Sequence, residues 1–197
     1  MRTARRRDRY RSPLRNSMIA LFTAGCATLA VTSCSSASDT PKASPTPSAT
    51  QPTKPADPTE TAKKDAVATY QTYWKEVAKL YADHSGKSSM LKQYAASAAL
   101  KNVESDAKQA HHHNRIHIGK VTVGNPTVTE LDLKSKTPRA TLSSCLDISR
   151  WQVVDATTKK PLSLPSNRLT KYVIKSEVER WPGGWRVIRD EPQGKRC

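Results

Sequence analysis

The sequence predicts an α+β fold, with N-terminal helices followed by a run of antiparallel strands. Two observations carry that reading. Between Asp57 and Ala110 the apolar residues return every three or four positions, as on one face of a helix. After Arg115 they alternate in twos, between clusters of turn-forming residues. The domain so marked, residues 57–197, is about 140 residues long, ample for one hydrophobic core.

Asp57-Pro58-Thr59-Glu60 opens the first helix: Asp caps it, Pro takes the first helical position, and Glu stands three residues after the cap. Val67, Tyr70, Trp74, Val77 and Tyr81 mark its apolar face, and Gly86 is expected to end it. A second helical stretch begins near Ser88 or Ser89, with Leu91 and Tyr94 inward. Ser97 resets the chain into a third helix carrying Leu100, Val103, Ala107 and Ala110. The strands open with Ile116 to Val123, turn at Gly124-Asn125-Pro126, and return over Thr127 to Leu133. From Arg139 to Ile148, Ala140, Leu142, Leu146 and Ile148 face one side, and Thr141, Ser143, Cys145 and Asp147 the other. Trp151 to Val154 is expected to extend that strand past a bulge, before the chain turns over Asp155 to Lys160. Leu169 to Arg180 and Trp185 to Arg189 make a last hairpin about Trp181-Pro182-Gly183-Gly184. No internal repeat is visible.

Ahead of the domain the texture differs. Residues 1–17 hold seven arginines against one acid, Asp8, and an apolar stretch runs from Met18 to Val31. It falls short of the ~20 apolar residues that a membrane span needs. A basic head, a short apolar body and small residues before a cut mark residues 1–33 as a secretion signal. Val31-Thr32-Ser33-Cys34 closes it and resembles the lipobox of bacterial lipoproteins, an aliphatic residue and two small ones before cysteine. In that family the cysteine sulfur receives diacylglycerol and the chain is cut on its amino side. The resemblance implies a lipid on Cys34 and anchorage at the extracytoplasmic face of the cell membrane. Cys26 competes less well, because Thr23 stands where an aliphatic residue is wanted. The arginine pairs resemble a twin-arginine signal, but Asp8-Arg9-Tyr10 lacks the apolar residues expected after the pair, which favours general secretion.

Residues 34–56 comprise that cysteine and a linker rich in Ser, Thr, Ala and Pro, without an aromatic or large aliphatic side chain. Such a segment cannot bury enough surface to offset chain entropy, so a disordered spacer is expected. Charge follows the same division. The whole chain carries +16, and removing the signal leaves +10 spread along its length. A basic surface raises nucleic acid as a partner, yet no compact basic motif interleaved with aromatics is present. Anionic lipids and wall polymers are nearer partners for an exported chain, and no nucleic acid is expected.

The strand pattern Cys145-Leu146-Asp147, the strand Trp185-Arg186-Val187 and the terminal Cys197 resemble small secreted actinobacterial lipoproteins with a nuclear transport factor two-like, or cystatin-like cone, domain. The likeness spans roughly residues 58–197 and implies a curved sheet with a pocket between it and the first helix. That superfamily hosts isomerases, dehydratases and many non-catalytic modules, so the fold alone does not name an activity. Outside the cytoplasm cysteines tend to pair. With Cys34 lipidated and Cys26 removed, Cys145 and Cys197 remain, and a disulfide between them is expected.

Few residues invite chemistry. His111-His112-His113 with His117 suggests a metal site, but consecutive helical residues fan out by about 100° each and His117 falls in a strand. Cationic polar residues at a helix end account for the group, and no metal is expected. An isomerase-type pocket needs a carboxylate base and a buried donor at its depth, which makes Tyr70, Trp74 and Asp147 the pocket candidates. Asp147 lies opposite Leu146 and beside Cys145, turned from an apolar cone and placed to accept backbone or arginine hydrogen bonds. No Ser-His-Asp arrangement, Gly-rich phosphate loop or cofactor motif is found, and no residue is assigned a catalytic role. The expectation is a tethered, non-catalytic module binding an unknown envelope protein or a small ligand. The alternatives are a pocket enzyme of isomerase or dehydratase type, using Asp147 with a tyrosine, and an accessory subunit of an envelope complex.

Overall fold

Helix α1, Pro58–Ala82, starts where its cap residues place it: the Asp57 carboxylate accepts the Thr59 backbone N–H at 2.8 Å. The computed structural model describes residues 57–197, so the signal segment, Cys26, Cys34 and the linker lie outside the described residues. The buried seam of α1 is Ala62, Ala66, Tyr70, Tyr73 and Val77. Trp74 and Tyr81, expected on that seam, flank it half-buried. Tyr73 follows Ala62 and Ala66 at helical spacing on that face, which is why it is buried in place of Trp74.

The helix ends at Ala82, before Gly86. There the Asp83 carboxylate accepts the backbone N–H and hydroxyl of both Ser85 and Ser88, which holds its carboxyl well below the usual range. Glu76 pins the following loop from beneath. Its buried carboxylate accepts the Met90 N–H and the Lys79 ammonium, each at 2.6 Å. Helix α2 is one turn, Leu91–Tyr94, and α3 runs Ser97–His112 with Ala99 and Ala107 fully buried. No helix of the described residues is long and apolar enough to cross a membrane.

Four antiparallel strands follow in the order β1-β2-β3-β4: Arg115–Asp132, Arg139–Asp155, Lys171–Trp181 and Gly184–Pro192. The expected turn at Gly124-Asn125-Pro126 is instead a bulge inside one long β1. Gly124 pairs with Cys145 and Thr127 with Ser143, leaving an extra residue on the β1 side. Asn125 takes a positive φ of 44° there, a conformation asparagine adopts more readily than most residues. A bulge in β2 lies where it was expected, since two β2 residues separate the partners of Lys120 and Thr122. These irregularities bend the sheet into a curled half-barrel around α1. Gly119 is required at one of them: a Cβ there would stand 2.1 Å from the Arg150 carbonyl oxygen.

The concave face carries Ala140, Leu142 and Leu146 from β2, Ile174 and Val178 from β3, and Trp185 and Val187 from β4. Beyond β4 the tail runs beside β3, with the Val173 N–H donating to the Lys195 carbonyl at 2.8 Å. Val173 is the cross-strand partner of Cys145, so the tail delivers Cys197 to the outer face beside that cysteine. The expected Cys145–Cys197 disulfide is formed, with the Cα atoms 5.8 Å apart.

Candidate functional site

One irregularity in β4 decides the chemistry of the concave face. Trp185 and Val187 point inward, and simple alternation would then turn Asp190 outward. Glu177 of β3 instead pairs with Arg189, while the next residue, Val178, pairs with Val187. The extra residue, Ile188, reverses the parity of everything after it. Arg189 and Glu191 consequently share the exposed face, 3.5 Å apart as an ion pair, and Asp190 turns inward.

Asp190 meets a row of hydroxyls. Its direct cross-strand neighbour Ser176 donates to its carboxylate at 2.5 Å. Tyr70 and Tyr73, from the seam of α1, turn their hydroxyls toward the same carboxylate. Tyr70 also contacts the buried Ser144 hydroxyl of β2 at 3.1 Å and accepts the Trp74 indole N–H at 3.1 Å. Burial pushes the Asp190 carboxyl up to about 7, against the lowering effect of the Ser176, Tyr70 and Tyr73 hydroxyls. Burial and the nearby Asp190 charge raise both tyrosines, so at neutral pH they stay protonated and act as donors.

Beside this network lies a cavity of about 350 Å³ between α1, α3 and the concave sheet. Tyr73, Trp74, Tyr81, Trp151 and Tyr172 supply aromatic walls, with Asp190 on one side and Asp106 of α3 at the rim. Such a setting combines apolar area with a few convergent polar groups, the usual make-up of a small-ligand site.

Of the residues nominated from sequence, Tyr70 and Trp74 are brought together, joined by a hydrogen bond, and Trp74 lines the cavity. Asp147 is not with them. It sits at the surface of β2, accepting the Ser149 N–H at 2.9 Å and hydroxyl at 2.6 Å, and those bonds hold its carboxyl below the usual range. The carboxylate that faces the tyrosines is Asp190. Its sequence signal was slight: Val187-Ile188, two adjacent apolar residues, breaks the alternation that began at Trp185. The histidines scatter. His84 and His111 approach each other at the end of α1, His112 and His113 stack edge to face, and His117 packs against both Tyr81 and Trp151, which also touch each other. Among the described residues no three His, Cys, Asp or Glu side chains converge to hold a metal ion.

No protein-family model matches the sequence. No curated protein matches it either. Among solved structures the chain is similar to the crystal structure of the intermembrane space region of chloroplast protein ARC6. That likeness has a TM-score of 0.47 at 13% identity, over 70% of this chain and 98% of the other. The chemistry of the site therefore rests on this chain's own residues.

Proposed function

We propose that this chain is an envelope lipoprotein, held through lipid on Cys34, whose α+β head is a non-catalytic module that captures a small ligand in the cleft beneath α1. The observation that supports the reading is the aromatic cavity with one inward carboxyl beside it. The anchor rests on the Val31-Thr32-Ser33-Cys34 motif and the basic and apolar segments before it. Two acyl chains or more hold a protein stably at a membrane, where one is marginal.

The cavity is tested with the neutral dye N-phenyl-1-naphthylamine, whose emission rises in apolar surroundings. It should light up with the full chain and lose that signal in Val103→Trp, which fills the cavity from α3. Equal emission from both proteins would remove the cleft as the binding site. For the anchor, Cys34→Ala should abolish incorporation of labelled palmitate while Cys26→Ala keeps it. Lipid label surviving in the Cys34 variant would sink the assignment.

A second reading, a proton-transfer enzyme of isomerase or dehydratase type, is favoured by a specific observation. A carboxyl with a near-neutral pKa beside two tyrosine donors is what such chemistry uses. In that reading Asp190, not Asp147, is the base. Deuterium exchange at the α-carbon of phenylacetone, abolished by Asp190→Asn, would support it, and exchange at the buffer rate would exclude it for that substrate class.

A further inference from the structure

Four clefts of the described surface each carry a lysine, arginine or histidine in their walls, among them Lys136, Lys120, Lys63 and Arg115. In three of them the basic side chain stands beside acids: Glu130 and Asp132, Asp106, or Glu60. The cavity under α1 departs from that pattern. Among the described residues its charged side chains are Asp106 and Asp190, and none of those that line it is basic. We propose that this cavity is a site for a small organic ammonium ion, its charged head on Asp190 and its apolar body against the aromatic walls. The inference rests on the reading of the cleft as a ligand site and names the class of ligand it takes.

Three features of the walls fit that head group. A carboxylate has about four acceptor positions, and the Ser176 hydroxyl takes one on Asp190 at 2.5 Å. That leaves acceptor capacity for a donor from the cavity. Trp74, Trp151 and Tyr172 are half-buried and line the cavity, and a cation over such rings is drawn by their quadrupole. Asp106 at the rim adds a second negative charge along the way in. An anion would meet both carboxylates with no compensating cation, so the same walls discriminate against it.

The groups facing Asp190 are Tyr70 and Tyr73 from α1, Ser176 and Tyr172 from β3, and Asp106 across the cavity on α3. Its charged sequence neighbours, Arg189 and Glu191, occupy the opposite face. The group that titrates in this set near neutrality is Asp190 itself, with its carboxyl pushed up to about 7. Ammonium binding therefore strengthens as pH rises through that value and weakens below it.

The test uses the full chain in detergent, with fluorescence of Trp74 and Trp151 as the readout. The probes are 2-phenylethylammonium, the uncharged 2-phenylethanol and the anionic 3-phenylpropionate. The ammonium probe should give saturable quenching, with affinity falling roughly tenfold per pH unit below neutrality. Neither isostere should compete with it at equal concentration. Asp190→Asn should weaken binding about twentyfold or more, the range for a lost charge-assisted hydrogen bond. Asp106→Asn, at an exposed position that folding does not depend on, should weaken it a few-fold and show that rim charge contributes. The proposal is overturned if 2-phenylethanol binds as tightly as the ammonium, if Asp190→Asn keeps full affinity, or if quenching ignores pH between 5 and 8. Should the neutral dye bind in the cavity while 2-phenylethylammonium does not, the ligand class is wrong and the ligand site stands.

Discussion

Asp190 and His117 stand on the two edge strands of one sheet, and both meet the same helix, Asp190 through Tyr73 and His117 through Tyr81. Each is an ionisable group turned toward apolar surroundings, and each is held toward its neutral form. The means differ. Asp190 has the Ser176 hydroxyl as donor and two tyrosine hydroxyls facing it, and is still pushed up to about 7 by burial. His117 has no hydrogen-bond partner on Nδ1, packs on the rings of Tyr81 and Trp151, and is drawn down to about 4 by burial and the positive charges of His111 and Arg168. Desolvation wins at both places, and because one group is an acid and the other a base it acts on stability with opposite sign.

For Asp190, the folded chain keeps a proton between pH 3.8 and about 7 that the unfolded chain has lost. Stability from this group is therefore greatest at low pH and declines as pH rises through that window. For His117, the unfolded chain holds a proton between about 4 and 6.5 that the folded chain refuses. Its contribution is present above 6.5 and is lost as pH falls toward about 4. The two slopes oppose each other over pH 4 to 6.5, so the wild-type profile is flatter there than either group alone would make it.

The largest break in this comparison comes from the disulfide. Replacing Cys145 and Cys197 together with serine releases a crosslink of sequence separation 52, worth about 4 kcal/mol of chain entropy. Urea unfolding should register that loss. Carboxyl NMR should at the same time show Asp190 moving toward the ordinary aspartate range as the end of β4 gains water, with His117 unchanged. An Asp190 signal that stays put would mean that α1, and not the tied tail, keeps that carboxyl dry.

Next in size is Asp190→Asn, which removes a buried charge at high pH. It should raise stability at pH 8 by roughly 1 to 4 kcal/mol and by almost nothing at pH 4. Equal effects at the two values would show that Asp190 is not the group titrating near 7. His117→Phe sharpens the other side. Phenylalanine keeps an aromatic ring against Tyr81 and Trp151, so acid lability between pH 6.5 and 4 should disappear while stability at pH 8 hardly changes. A variant still losing stability over that window would locate the acid-sensitive group elsewhere. Smallest is Asp147→Asn, which loses a charged acceptor for Ser149 on the exposed face of β2. Its melting temperature should drop slightly at neutral pH and converge with wild type in acid, with the titrations of Asp190 and His117 unmoved. A shift in either titration would reveal coupling across the sheet.

By itself the sequence determined the order of elements, the start of α1 at Asp57, the inward set of β2 and the pairing of Cys145 with Cys197. Each of these depends on local chemistry. A cap accepts an N–H two residues away, alternation follows from the pleat, and the pairing expected between two remaining cysteines needed no geometry. Tertiary structure decided the rest. Asn125-Pro126 reads as a turn, yet becomes a bulge because β1 keeps pairing with β2 on both sides of it. Trp74 and Tyr73 both fit a helical face, and packing on the sheet buries Tyr73 and leaves Trp74 half-buried. Asp190 is the sharpest case. Its direction rests on one extra residue, Ile188, whose place as a bulge is set by the register of β4 on β3. A strand's parity after a bulge belongs to the pair of strands, and a single strand read alone cannot carry it.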